Sequence, residues 1–165
     1  MALPTTSSVR IKANNLVFQL NTGTPAAPTY KDYSWDMISL KFASEDASND
    51  QTTFLDASLG GAVDLYAEGE MIQSTEAASL WRYLYANPGK EVEFRYAPHG
   101  NGTATGDALT ADKPGYTGTL RLPRVMAPGL GGAASVDGTF ASDTVRFDVI
   151  GSLTVVTTGG TWTRA

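Results

Sequence analysis

The chain contains no cysteine, which excludes a disulfide framework and a thiolate metal site. It has one histidine, His99, and a lone imidazole without thiols lacks the donors of a zinc centre. No apolar run approaches the ~18 residues that a membrane-crossing helix needs, so no membrane is expected among its partners. The opening MALPTTSSVRIKANN has neither the basic head nor the apolar stretch of a secretory signal, and the expectation is a soluble protein made in the cytoplasm. Charged residues are scarce, at 18%. Bases are missing altogether from 42 to 81, where eight acids stand: Glu45, Asp46, Asp50, Asp56, Asp64, Glu68, Glu70 and Glu76. A stretch without Lys or Arg does not grip a phosphate backbone. It reads as a solvated acidic surface, or as one that repels a polyanion or meets a basic partner.

What is present points to strands. The 165 residues include 17 Gly and 8 Pro, a composition of many turns and short elements. At 42% hydrophobic, they suffice for one sizeable core, and 1–165 reads as a single domain. Six segments alternate with period two: Leu16, Phe18, Leu20; Ile38, Leu40, Phe42, with Trp35 and Met37 on the opposite face; Val63 and Leu65 within a looser run 61–73; Val92, Phe94, Tyr96; Tyr116, Leu120, Leu122; and Val145, Phe147, Val149. That pattern predicts a mainly β fold, an antiparallel β-sandwich or partly closed barrel. One segment changes period. Ser74 is placed to cap a helix over 74–87 with Glu76 in its first turn, and Ala77, Leu80, Trp81, Leu84 and Tyr85 form an apolar stripe ended by Asn87-Pro88-Gly89. Leu80, Trp81, Leu84 and Tyr85 are the expected helix–sheet core, with Arg82 and Tyr83 facing elsewhere. Two long polar stretches, 43–60 and 98–114, read as loops with a binding role. Phe54 and Leu55 in the first need a surface to rest on, their own core or a neighbour's.

Catalytic patterns do not assemble. His99 lies between Pro98 and Gly100 in turn chemistry, and no G-x-S-x-G elbow accompanies it. Glu91 and Glu93 share one face of a strand roughly 6.6 Å apart, a spacing near that of two-carboxylate glycosidases. They are also the outward positions of an alternating strand. Residues 129–134 satisfy G-x-G-x-x-A, but Pro128 precedes them and Asp137-Gly138 marks a turn after them, where a nucleotide site needs a strand and a helix. Asp46, Ser48 and Asp50 lack the glycine and distal glutamate of a calcium loop. No catalytic residue, cofactor or metal is expected, and the chain reads as scaffold.

The succession LWRYLYANPG, KEVEFRYAPHGN, PGYTGTLRLP, PGLGGAASVDGTF and TVRFDVIGSLTV resembles the major tail tube proteins of long-tailed bacteriophages with non-contractile tails, most of all those infecting actinobacteria. The resemblance spans roughly 74–156. The segment GSLTVV and the short end TTGGTWTRA depart from it. It implies a β-sandwich with one flanking helix, in subunits that form stacked and usually hexameric rings around a hollow tube. Double-stranded DNA then passes through the lumen without specific binding, and the tape measure, tail terminator and distal tail or baseplate proteins are partners. The protein would reside in the virion tail after assembly in the host cytoplasm. On this reading 1–8 is an N-terminal arm and 157–165 a C-terminal arm. The loop 43–60 reaches the adjoining ring through Glu45, Asp46, Asp50, Phe54, Leu55 and Asp56, and Asp64, Glu68 and Glu70 line an acidic lumen. The alternatives are a tail-terminator or decoration protein, a carbohydrate-binding β-sandwich, and a small glycosidase.

Overall fold

The six period-two segments become six of the seven antiparallel strands among the described residues, and the period-3.6 segment becomes one helix. A computed structural model describes residues 16–46, 63–99, 108–124, 142–158 and 162. In chain order the elements are β1 Val17–Asn21, β2 Tyr30–Asp32, β3 Met37–Asp46, β4 Val63–Ile72, α1 Leu80–Ala86, β5 Glu91–Ala97, β6 Gly115–Arg121 and β7 Ser142–Val156. They form one sheet in the order β2-β1-β5-β6-β7-β4-β3, and every pairing is antiparallel.

The two edge strands, β2 and β3, are consecutive in the chain. Laid flat, seven strands would separate their edges by ~29 Å. The four residues 33–36 that join β2 to β3 reach at most ~18 Å. The sheet therefore curls until its edges approach, without closing into a barrel. Helix α1 sits at that seam. Lys31 on β2 donates to the Ala78 carbonyl at 2.6 Å. Asp36, in the joining turn, accepts from the Leu80 N–H at 2.6 Å through its carboxylate and from Ile72 N–H at 2.8 Å through its carbonyl.

The curled sheet encloses Phe18, Leu20, Met71, Val92, Phe94, Leu120, Val145 and Phe147, with Leu80 and Leu84 of α1 completing the cluster. Burying each such side chain contributes ~1.5–3 kcal/mol. A second, smaller cluster of Val17, Ala97, Leu109 and Trp162 lies outside the main core. Every residue of β1 is buried, because both of its faces are covered.

Several elements differ from the sequence expectation. The helix is Leu80–Ala86 rather than 74–87. Its cap is Ser79, whose Oγ accepts from the Arg82 N–H at 3.2 Å, whereas Ser74 Oγ accepts from Glu76 N–H in a preceding turn. So short a helix buries one i, i+3, i+4 face. Leu80 and Leu84 are fully buried, and Tyr83, expected to face elsewhere, packs against Tyr33 with ring centroids 5.8 Å apart. Trp81 is half-buried. Tyr85 is a correction: it is 51% exposed and stacks on Trp81 instead of the sheet. Strand β3 runs through Ala43–Asp46, so Glu45 and Asp46 belong to a strand and not to a loop. A register shift between Met37 and Ser39 turns Met37 into the core and leaves Ile38 55% exposed, the reverse of plain alternation. Trp35 sits in the joining turn and is 67% exposed. The three-residue strand β2 is too short to show a period. Asp50, Phe54, Leu55, Asp56, the arm 1–8 and the glycine run 129–134 lie outside the described residues.

Candidate functional site

The alternating strands that bury Val92, Phe94, Val145 and Phe147 present their intervening residues on the opposite, outer face. Strand register aligns those residues into rows. One row runs Lys41, Glu68, Arg146 across β3, β4 and β7, and the next runs Ala43, Tyr66, Asp148, Arg121, Glu91 across five strands. Lys41 pairs with Glu68 at 3.4 Å and Arg121 with Glu91 at 2.7 Å. Arg146 bridges Glu45 and Asp148 and lies 4.0 Å above the Tyr66 ring. The hydrogen bond from Arg146 holds the Glu45 carboxyl below the usual carboxylate range and raises the guanidinium in turn.

The expected lumen acids fall on this face. Glu68 and Glu70 share β4 with Asp64, and Glu70 accepts from the Ser142 hydroxyl at 2.5 Å. Asp64 is aligned with Glu45. The face thus brings Asp64, Glu68 and Glu70 together, but with bases among them. Its described acids are Asp32, Glu45, Asp64, Glu68, Glu70, Glu91, Glu93 and Asp148, against Lys41, Arg95, Arg121 and Arg146. Eight carboxylates less four bases leave four negative charges. The linear sequence shows 42–81 without a base. The sheet sets Arg146 beside that segment from about eighty residues downstream, so the bare acidity of the segment is partly neutralised. Period-two alternation placed Arg146 outward, but no sequence signal named its strand neighbours.

A second feature lies on β5, β6 and β2. A cleft of about 430 Å³ is lined by Tyr30, Glu93, Arg95, Thr117, Thr119 and Trp162 among others. Glu93 accepts from the Tyr30 hydroxyl at 3.0 Å and from Asn21 at 3.2 Å. Arg95 stacks 3.6 Å above the Tyr30 ring. Burial, reinforced by Glu93, raises the Tyr30 phenol above its ordinary pKa. Glu91 and Glu93, the carboxylates at glycosidase spacing, are therefore each tied to a structural partner rather than facing each other across a cleft. His99 follows Pro98 in the turn after β5. Chemically, the outer face offers a fixed array of charges with an acidic excess, suited to repelling or aligning a charged surface.

No protein-family model and no curated protein matches the chain. It is similar to a solved structure described as "Virion of native gene transfer agent (GTA) particle", with 12% identity and a TM-score of 0.47, over 88% of this chain and 98% of that one.

Proposed function

We propose that the chain is a structural virion protein, the tube subunit of a long non-contractile phage tail. In this reading its copies form hexameric rings that stack into a hollow tube. DNA leaves through that tube, past Asp64, Glu68 and Glu70, and the tape measure, terminator and distal tail proteins bind its lumen and ends. The observation that carries the reading is the edge strand β3. It is ten residues long and has a neighbour on one side only among the described residues. Ile38 on it and Val63, at the start of its partner β4, are exposed at 55% and 53%. An edge of that length offers unpaired backbone groups to another chain, as a polymerising subunit requires. The outer face supports the lumen assignment through its acidic excess, since a like-charged wall lets DNA slide without contacts.

Lysine at both Glu68 and Glu70 tests the lumen assignment in assembled particles. The reading expects slowed or arrested genome ejection from tubes of normal length, and unchanged ejection would count against it. A carbohydrate-binding module is the second reading, favoured by the aromatic-walled cleft at Tyr30 and Trp162. Trp162 is only 7% exposed, however, and offers no open ring face for a sugar to stack upon.

A further inference from the structure

Strand register lays two rows of side chains across the cleft on β5 and β6. Glu93 stands between Asn21 and Thr119, and Arg95 between Gln19 and Thr117. Two positions apart on one strand face, Glu93 and Arg95 are neighbours, with Cα atoms about 6.6 Å apart. They carry opposite charges, yet neither enters an ion pair among the described residues. Tyr30 holds both of them instead. Its hydroxyl donates to Oε2 of Glu93, as does the Asn21 amide, and Oε1 has no partner among the described residues. Its ring carries the Arg95 guanidinium 3.6 Å above it, with the Trp162 ring 5.6 Å from the same group. Stacking engages a guanidinium through its face and leaves donors at its edge for an acceptor in the plane. The cleft thus presents a braced cation, a half-used carboxylate and two hydroxyls. Its volume of about 430 Å³ falls in the range of small-molecule sites, ~300–1,000 Å³.

We infer that this cleft binds a small zwitterion of the α-amino-acid class, its carboxylate on Arg95 and its ammonium on Glu93. The charges select that class. An anion alone is repelled by Glu93, a cation alone by Arg95, and a neutral sugar matches neither charge. A zwitterion meets both. Its carboxylate takes two parallel N–H bonds from the guanidinium, the geometry in which Arg binds such groups best. Its ammonium donates to Oε1 of Glu93. The single carbon between the two ligand groups, with hydrogen bonds of ~2.7–3.2 Å at each end, suits side chains that rise from neighbouring positions of one strand face. The Thr117 and Thr119 hydroxyls, opposite Arg95 and Glu93, are placed to take the ligand's remaining donor and acceptor positions. Because Tyr30 already fixes both charged side chains, little ordering cost falls on binding. The inference does not rest on the tail-tube reading, since a single folded chain carries the whole cleft.

Titration of the full chain with glycine, L-alanine, L-leucine and L-phenylalanine tests it, read by calorimetry and by amide shifts in nitrogen-15 NMR spectra. At least one of the four is expected to bind saturably, with the shifts centred on Thr117 and Thr119. Affinity should fall about tenfold or more in Arg95→Gln and in Glu93→Gln. It should fall as far when the ligand is N-acetylated, which removes the ammonium, or amidated, which removes the carboxylate. Glu93→Gln keeps an acceptor for Tyr30 and Asn21. Should either charge variant fail to fold, Thr117→Val leaves the Tyr30 contacts in place and is expected to weaken binding severalfold. No saturable binding by any of the four would overturn the site, and shifts centred elsewhere would overturn its location. An N-acetylated ligand that binds as tightly as its parent would overturn the role of Glu93 and leave a simple anion site. None of these readouts depends on tube formation, so a failure here stays distinct from a failure of the tail-tube reading.

Discussion

Phe42 of edge strand β3 stacks on Phe94 of β5, with ring centroids 5.5 Å apart and an interplanar angle of 22°, although the two strands are four places apart in the sheet. The same ring meets Tyr96 at 5.1 Å. These ring pairs cross the interior of the curled sheet and hold its far edge over its centre. Phe42→Ala should remove them and leave a cavity, costing ~3 kcal/mol. A urea titration reads the effect, and the midpoint should fall. An unchanged midpoint would mean that the edge strand is held by its pairing with β4 alone.

The helix start provides a paired comparison. Ser79→Ala deletes the side chain that accepts from Arg82 N–H and should cost ~1 kcal/mol. Ser74→Ala removes only a turn hydrogen bond to Glu76 N–H and should cost less than ~0.5 kcal/mol. Thermal melts of the two variants check the order, and equal losses would contradict the assigned cap.

Tyr83 carries a buried hydroxyl with no hydrogen-bond partner among the described residues. Removing an unsatisfied buried polar group relieves its desolvation cost. Tyr83→Phe should therefore be neutral or stabilising by up to ~1 kcal/mol, in contrast to the loss expected from most substitutions in a packed seam. A loss above ~1 kcal/mol in the same melts would show that the hydroxyl has a partner.

Alkaline pH should act through four tyrosines, Tyr30 in its cleft and three more. Burial raises the phenols of Tyr33, Tyr83 and Tyr96, with Tyr83 and Asp36 adding to the effect on Tyr33 and Tyr116 to that on Tyr96. A group raised in the folded state stabilises it fully below its unfolded pKa, ~10 for tyrosine. That stability is lost as pH climbs from there through the folded value. Ultraviolet titration should show these phenols ionising late and together with unfolding. Simple titration of these phenols near their ordinary value, with the fold intact, would contradict the burial.

Much of the fold was legible where one physical rule acted alone. Val92, Phe94 and Tyr96, like Val145, Phe147 and Val149, alternate because one face is core and the other solvent, and their strands lie where the pattern put them. The misreadings arise where a distant residue decides. Ser74 and Ser79 are equally good caps by residue type, and Asp36, 44 positions from Leu80, helps to fix the helix start at the later one. In β3 the register shift after Met37 turned Met37 inward and Ile38 outward, while Leu40 and Phe42 kept the core face, and alternation carries no mark of a bulge. The apolar stripe includes Tyr85, but a seven-residue helix has room for only one buried face, and Tyr83 takes the place beside Leu84. At the candidate site the acids of 42–81 were plain in the sequence. Their partial neutralisation by Arg146 was not, because it depends on β7 pairing with β4.

Self-assembly into tubes is the central claim, and negative-stain electron microscopy of the purified chain at high concentration, alongside sedimentation velocity, tests it most directly. The account predicts long hollow tubes with a regular axial repeat, and their loss when the outward edge of β3 is blocked by proline at Ser39 or Lys41. A chain that sediments as a single subunit at every concentration, with no rings or tubes on the grid, would contradict it.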